Sequence, residues 1–277
     1  MFWRIHKAIF NGREIEAKMI IESFGDTLQI VEGTLSTIAV VNVSKLKEAS
    51  LAITTLQDAR KLLTLDYPSS PWLFYHATQY DVNYWASRSP KEIPWINSNG
   101  VFIPYGNLPN HPILKNITGE NNRIFIRPNS GNKVFTGFDI ALDNSFNDEL
   151  KKQMLFVRPE PETMCYITPY KKINDTEWRF WICEKKVVAY SPYSWGENLA
   201  FSQAPETIFN LAKQIAESEF SPDYAYVADF VLDNLNVPYL VEINATSTSG
   251  IYNVDLNKLL PALRQTAIRE YNMEIDY

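Results

Sequence analysis

Three residues near the C-terminus have the types and spacing to do chemistry together. Glu242 and Asn244 lie two apart in the run PYLVEIN (238–244), and residues two apart on a strand point to the same face. A preceding run, AYVADFVL (225–232), reaches it through the short stretch DNLNV, so the two runs read as a β-hairpin. A turn centred between Leu235 and Asn236 sets Asp229 opposite Glu242, where directly opposed side chains stand roughly 5 Å apart at Cβ. Two carboxylates so placed repel unless a third group neutralises them. The trio is acidic and offers oxygen-type ligands, a donor set that suits Mg2+ or Mn2+ and does not suit zinc. The plainer reading is a solvated sheet face with Asn244 opening a turn. A register slip of one residue would also carry Asp229 to the other face.

Upstream, EWRFWIC (177–183) puts Glu177 and Arg179 on one face with Trp178 opposing them. An arginine among bulky apolar residues points to a phosphate, and an internal ion pair with Glu177 or Asp229 is the alternative. The stretch IFIRPNSGNKVFTG (124–137) places Arg127 at a strand end, Ser130 and Gly131 in a turn, and Lys133 beyond it. It reads either as an ordinary hairpin tip or as a flexible flap that brings cations onto an anionic ligand. Cations arranged around an acid-held Mg2+ are what polyphosphate binding and phosphoryl transfer require. The chain has no GxxxxGK[ST] loop and none of the protein-kinase signatures, so its phosphate chemistry would follow neither of those designs.

The elements that must position these residues change character along the chain. Residues 2–9 read as a short strand, TIAVVNV (37–43) as an apolar run, and 45–63 as a helix. Leu46, Leu51, Ile53, Leu56, Ala59, Leu62 and Leu63 make that helix's stripe. DYPSSPW (66–72) is a turn-rich break, and VFIPYG (101–106) reads as a strand. The run NLPNHPILKNITGENN (107–122), with two prolines and five asparagines, reads as a linker. After it come strand-like runs rich in β-branched and aromatic residues: 123–128, 132–138, 154–158, 164–170, 177–183 and 186–193. A helix follows over 206–219, with Pro205 near its first turn.

Composition bounds the rest. A chain of 277 residues with 45% apolar and 13% aromatic content can bury a large core in one or two domains. A net charge of −6 argues against a general nucleic-acid binder. His6, His76 and His111 are scattered, which excludes a histidine-based zinc site. Cys165 and Cys183 lack metal-type spacing and read as reduced core residues. No segment approaches the ~20 apolar residues of a membrane span, and the expected location is the cytoplasm of a bacterial or phage-infected cell.

Taken in order, IRPNSGNKVFTG, CYITPYKKINDTEWRFWICEKKVVAYSPY and YVADFVLDNLNVPYLVEINATSTSGIY resemble the ATP-grasp superfamily, and within it the divergent ATP-grasp proteins of phages and bacteria. That resemblance implies an α+β class: two α+β subdomains gripping the nucleotide, preceded by an N-terminal α/β pre-ATP-grasp-like domain. The boundaries expected are 1–110 for the N-terminal domain and 111–277 for the ATP-grasp domain, with a lid over about 123–165 and a C-terminal subdomain over about 166–277. It also implies roles. Arg127 and Lys133 would contact ATP phosphates, the backbone around Ile167 would meet adenine, and Glu177 would join Arg179 at the nucleotide. Arg179 would be the catalytic grip on the γ-phosphate or acyl phosphate, and Asp229, Glu242 and Asn244 would hold Mg2+. Residues 246–249 would lie near the acceptor. The hinge ITPYKK lacks the acids that usually hold the ribose.

The resemblance implies an ATP- and Mg2+-dependent ligase that activates a carboxylate as an acyl phosphate and joins it to an amine or another nucleophile. Two other readings stay open: phosphoryl transfer on the same site, and a non-catalytic nucleotide-binding or interaction protein. The aromatic run PWLFYHATQYDVNYW (71–85) is the feature that speaks for an interface, although aromatics equally build a core.

Overall fold

A computed structural model describes residues 1–33, 49–63, 73–109, 111–194 and 203–275. The chain divides into two compact units. The first comprises Met1–His76, Thr176–Phe230 and Glu242–Tyr277, and the second Ala77–Asp175 and Val231–Val241.

The first unit begins with β1 (Phe2–His6), whose five residues are all buried. Helices α1 (Lys7–Phe10) and α2 (Glu14–Ser23) lead to β2 (Thr27–Val31). The left-handed Asn11, at φ 48°, ends α1, the conformation asparagine tolerates best after glycine. Strand β3 (Ser50–Ile53) and helix α3 (Leu56–Leu63) follow. Among the described residues β1 is the central strand of a parallel sheet of order β2-β1-β3.

The helix expected over 45–63 is therefore corrected. Residues 45–48 lie outside the described residues, 50–53 are strand, and only 56–63 are helical. The reason is burial: all four residues of β3 are buried. Such a strand shows no alternation to separate its apolar run from the stripe of the next helix. The runs TIAVVNV and DYPSSPW likewise lie outside the described residues.

Unit two carries β4 (Val101–Pro104), β5 (Arg123–Pro128), β6 (Phe138–Ala141) and β7 (Met164–Pro169), in the order β4-β7-β5-β6. Its helices are α4 (Val82–Arg88) and α5 (Phe146–Gln153). The described residues of 107–122 include successive 3-10 turns and lie within this unit. Ile124, Ile126, Ile140, Cys165 and Ile167 pack with Phe146, Leu150 and Met154 as its core.

Two expected strands are absent here. Residues 132–137 form a loop in which Lys133 adopts φ 46°, a left-handed conformation that a strand cannot contain. Residues 154–157 are the turn after α5, with Leu155 55% and Phe156 94% exposed; hydrophobicity without a face to bury did not make a strand.

A second antiparallel group, β8 (Ile173–Cys183), β9 (Lys186–Ser194), β10 (Ala225–Asp233) and β11 (Pro238–Ala245), has the order β11-β10-β8-β9. Helix α6 (Glu206–Glu217) buries Ile208, Leu211, Ala212 and Ile215, the stripe its 3.6-residue period predicts. The last helix, α7 (Leu256–Ile275), inserts Leu256, Leu259, Leu260, Leu263 and Ala267 into the core that holds Trp3, Ile5, Trp181, Ala225 and Val227. Cys183 joins that core while Cys165 lies in the other, and burial pushes each thiol up to about 12.

Candidate active site

Strands β8 and β10 grade from apolar to charged along one face. On β8 the alternating residues run Cys183, Trp181, Arg179, Glu177, and on β10 they run Ala225, Val227, Asp229. The first members of each series pack in the core, and the last members meet in a polar cluster. Arg179 donates from Nε and Nη2 to Asp229 Oδ1 and Oδ2, both at 2.8 Å, the bidentate fork that guanidinium and carboxylate favour. Its Nη1 donates to the carbonyl of Gly250 at 3.2 Å. Arg179 is 6% exposed and Asp229 is fully buried.

The Asn244 side-chain amide donates from a single Nδ2 to Asp229 Oδ2 at 3.1 Å and to Glu242 Oε1 at 2.7 Å. Two carboxylate oxygens thus converge on one donor atom. Buried Glu177 accepts from the Tyr193 hydroxyl at 2.5 Å. Tyr193 stacks on Tyr252 with centroids 4.7 Å apart and planes 4° from parallel. The Arg179 guanidinium lies 5.3 and 5.2 Å from the two ring centres, inside cation–π range. Tyr252 holds this place at φ 43°, an outlying conformation for a bulky residue.

Burial opposes the charge of Arg179, yet the facing Asp229 carboxylate outweighs it and raises the guanidinium pKa well above its usual value. The Tyr193 phenol is also raised, first by burial and then by the charges of Asp229 and Glu177. Burial likewise raises Tyr252.

Beyond Asn244 the chain makes a 3-10 turn, Thr246–Thr248. The Ser247 carbonyl accepts from Thr54 N at 2.7 Å, and its hydroxyl accepts from Phe74 N at 2.9 Å. Ser249 Oγ donates to the Ala245 carbonyl at 2.8 Å. The Thr246 hydroxyl is buried and has no hydrogen-bond partner, a rare state for such a group.

The structure therefore brings together Asp229, Glu242, Asn244, Arg179 and Glu177, all in the first unit. Arg127, Lys133 and Ile167 belong to the second. There Arg127 is 9% exposed and sits opposite Tyr166 in the β5–β7 ladder. Lys133 is exposed on the loop after β5. Ile167 is wholly buried on an inner strand, paired with Val101 on one side and Ile126 on the other. Tyr193 and Tyr252 escaped the sequence reading. Tyr193 read only as part of an aromatic strand, and nothing local to Tyr252 marks a residue that stacks on it.

Among the described residues no group of three or more His, Cys, Asp or Glu could hold a metal ion. The trio instead offers two carboxylates and one amide. Its oxygens suit a hard cation, and the point where two carboxylates share one amide nitrogen is where such an ion fits, with the amide turned to present Oδ1.

Solved structures share this fold. One is a RimK domain ATP-grasp protein from Sphaerobacter thermophilus DSM 20745, at 12% identity and TM-score 0.59, covering 98% of this chain and 97% of that one. Another is the D-alanine–D-alanine ligase of Bacillus anthracis complexed with ATP, at 13% identity and TM-score 0.59, covering 99% of each chain. A third is the D-cycloserine synthetase DcsG, at 11% identity and TM-score 0.57, covering 98% and 97%. The architecture is thus the ATP-grasp fold, in an α+β chain.

The family is shown directly. Residues 111–262, over half of the chain, match the model of an ATP-grasp domain, the second family of its clade, and the chain belongs to that ATP-grasp family. No curated protein matches it. No helix among the described residues is long and apolar enough to cross a membrane.

Proposed function

We propose that the protein is an ATP- and Mg2+-dependent ligase that activates a carboxylate as an acyl phosphate and joins it to an amine. The observation that carries this reading is the cluster of Asp229, Glu242 and Asn244 against Arg179, in a chain of the ATP-grasp family. Asp229, Glu242 and Asn244 would hold Mg2+, which neutralises charge on the phosphoryl group in transfer. Arg179 would hold the transferred phosphoryl group. It is fixed by Gly250 and two tyrosine rings, so little reorganisation is needed as charge develops. Glu177, held by Tyr193, keeps that frame in place.

Arg127 and Lys133 would bind ATP phosphates. Ile167 is paired on both sides, so the adenine contacts fall to backbone beyond it, where β4 has ended. The unpartnered Thr246 hydroxyl is a donor for the acceptor. The site of action is proposed as the cytoplasm, with a small molecule, peptide or protein supplying the carboxylate and the amine.

A thermal shift with Mg2+ and a non-hydrolysable ATP analogue tests the site. Saturation near 100 times the dissociation constant stabilises the wild type by about 2.7 kcal/mol, and Glu242→Ala removes that gain. A wild-type protein that shows no shift ends the proposal. Release of free phosphate in the presence of an acid and an amine identifies the ligase; a phosphorylated product without free phosphate identifies a phosphotransferase.

A further inference from the structure

The loop after β5 is not free to flap. Asp81 occupies the N-cap of α4 but makes no side-chain capping bond to its own helix, although aspartate is among the best residues for that task. Its Oδ1 accepts instead from the backbone N–H of Gly131 at 2.8 Å. The helix is capped in return from the loop. The Asn129 carbonyl accepts from Val82 N at 2.8 Å, and Asn129 Oδ1 accepts from Asn83 N at 3.0 Å.

Gly131 is pressed against the same element. A Cβ there would stand 2.6 Å from Tyr80 Cβ and 2.8 Å from the Ala77 carbonyl oxygen. The strand end is fixed too, by Asn129 N donating to the Met164 carbonyl at 2.9 Å. Between these anchors the turn closes as Lys133 N donates to the Ser130 carbonyl at 3.0 Å, with Lys133 left-handed at φ 46°. Arg127 precedes the clasp by two residues and Lys133 follows it by two.

We propose that Asp81 is a positioning residue for ATP: through Gly131 it fixes the loop that presents Arg127 and Lys133. The inference rests on the reading of those two cations as phosphate ligands. It assigns a role to residue 81, which precedes the matched domain and belongs to no motif of the sequence. The carboxylate sets where the loop sits and does not itself meet the nucleotide. Its loss therefore weakens binding of the phosphates and leaves binding of the nucleoside part unchanged.

The test is equilibrium binding of a non-hydrolysable Mg·ATP analogue and of AMP to the full chain. Asp81→Ala lowers affinity for the triphosphate about tenfold, the scale of one charge-assisted hydrogen bond, and leaves AMP binding unchanged. Asp81→Asn, which keeps an oxygen facing the Gly131 N–H, restores most of the loss. Gly131→Ala, which breaks the clasp from the loop side, reproduces the selective loss. Equal losses for triphosphate and AMP reduce Asp81 to a fold residue and overturn the inference, as does wild-type affinity in Asp81→Ala. Arg127→Ala is the separate control: if it leaves triphosphate affinity intact, the phosphate reading of the loop has failed, whatever Asp81 does.

Discussion

The first unit contains two forked arginine–aspartate pairs that look alike and are built for different ends. Arg264 on α7 donates to Asp26 at 2.7 and 3.0 Å, and the Trp3 indole adds a third donor at 2.9 Å. Every described neighbour of that carboxylate is a donor, and the Arg264 side chain is about a third exposed, at 32%. The pair ties α7 to β1 and to the turn before β2. Arg179 and Asp229 are buried instead, with Glu177 and Glu242 close by. Sheets do not gather acids in this way for stability. The difference separates a fastener from a site: one carboxylate is surrounded by donors, whereas the other helps to assemble more negative charge around a single guanidinium.

The contrast is sharpest if the arginine is removed from each pair. Arg179→Ala strands a buried carboxylate among acids and costs about 3–5 kcal/mol, read as a lowered urea midpoint. Arg264→Ala, at a partly exposed pair, costs about 1 kcal/mol. Equal losses would dissolve the distinction. Next in size is Tyr193→Phe, which leaves buried Glu177 short of its hydroxyl donor and costs about 1.5–3 kcal/mol. The smallest effect is expected at Asp26→Asn, measured across pH. Burial opposes the Asp26 charge, but the bonds from Arg264 and Trp3 hold its pKa below the usual carboxylate value. Its contribution is therefore fully present above about pH 4, the unfolded value, and is lost as pH falls through the folded one. Asp26→Asn loses that part of the acid dependence, and an unchanged slope below pH 4 would place Asp26 outside the balance.

The site was more legible than the scaffold. The period-two spacing of Glu242 and Asn244 and the hairpin before them are local, so alternation alone puts Asp229, Glu242 and Asn244 on one face. Glu177 and Arg179 follow by the same rule on β8. The pairing of Arg179 with Asp229 was only one of two readings, because a spacing cannot say which acid an arginine meets. Strand β3 was hidden by complete burial, and the exposed run Leu155–Val157 mimicked a strand because propensity does not report whether a partner face exists. Asp81 was out of reach for a different reason. It bonds Gly131 across 50 residues, and its own position advertises an ordinary helix cap.

The two thiols offer a clock for each unit. Cys165 and Cys183 lie one in each core, and with pKa values near 12 they hold almost no thiolate at neutral pH, the form that reacts. Alkylation therefore waits for the surrounding core to open and reports that opening with a covalent mark. Located by peptide, the marks time the two cores separately, so coincident labelling would mean one cooperative molecule and staggered labelling two.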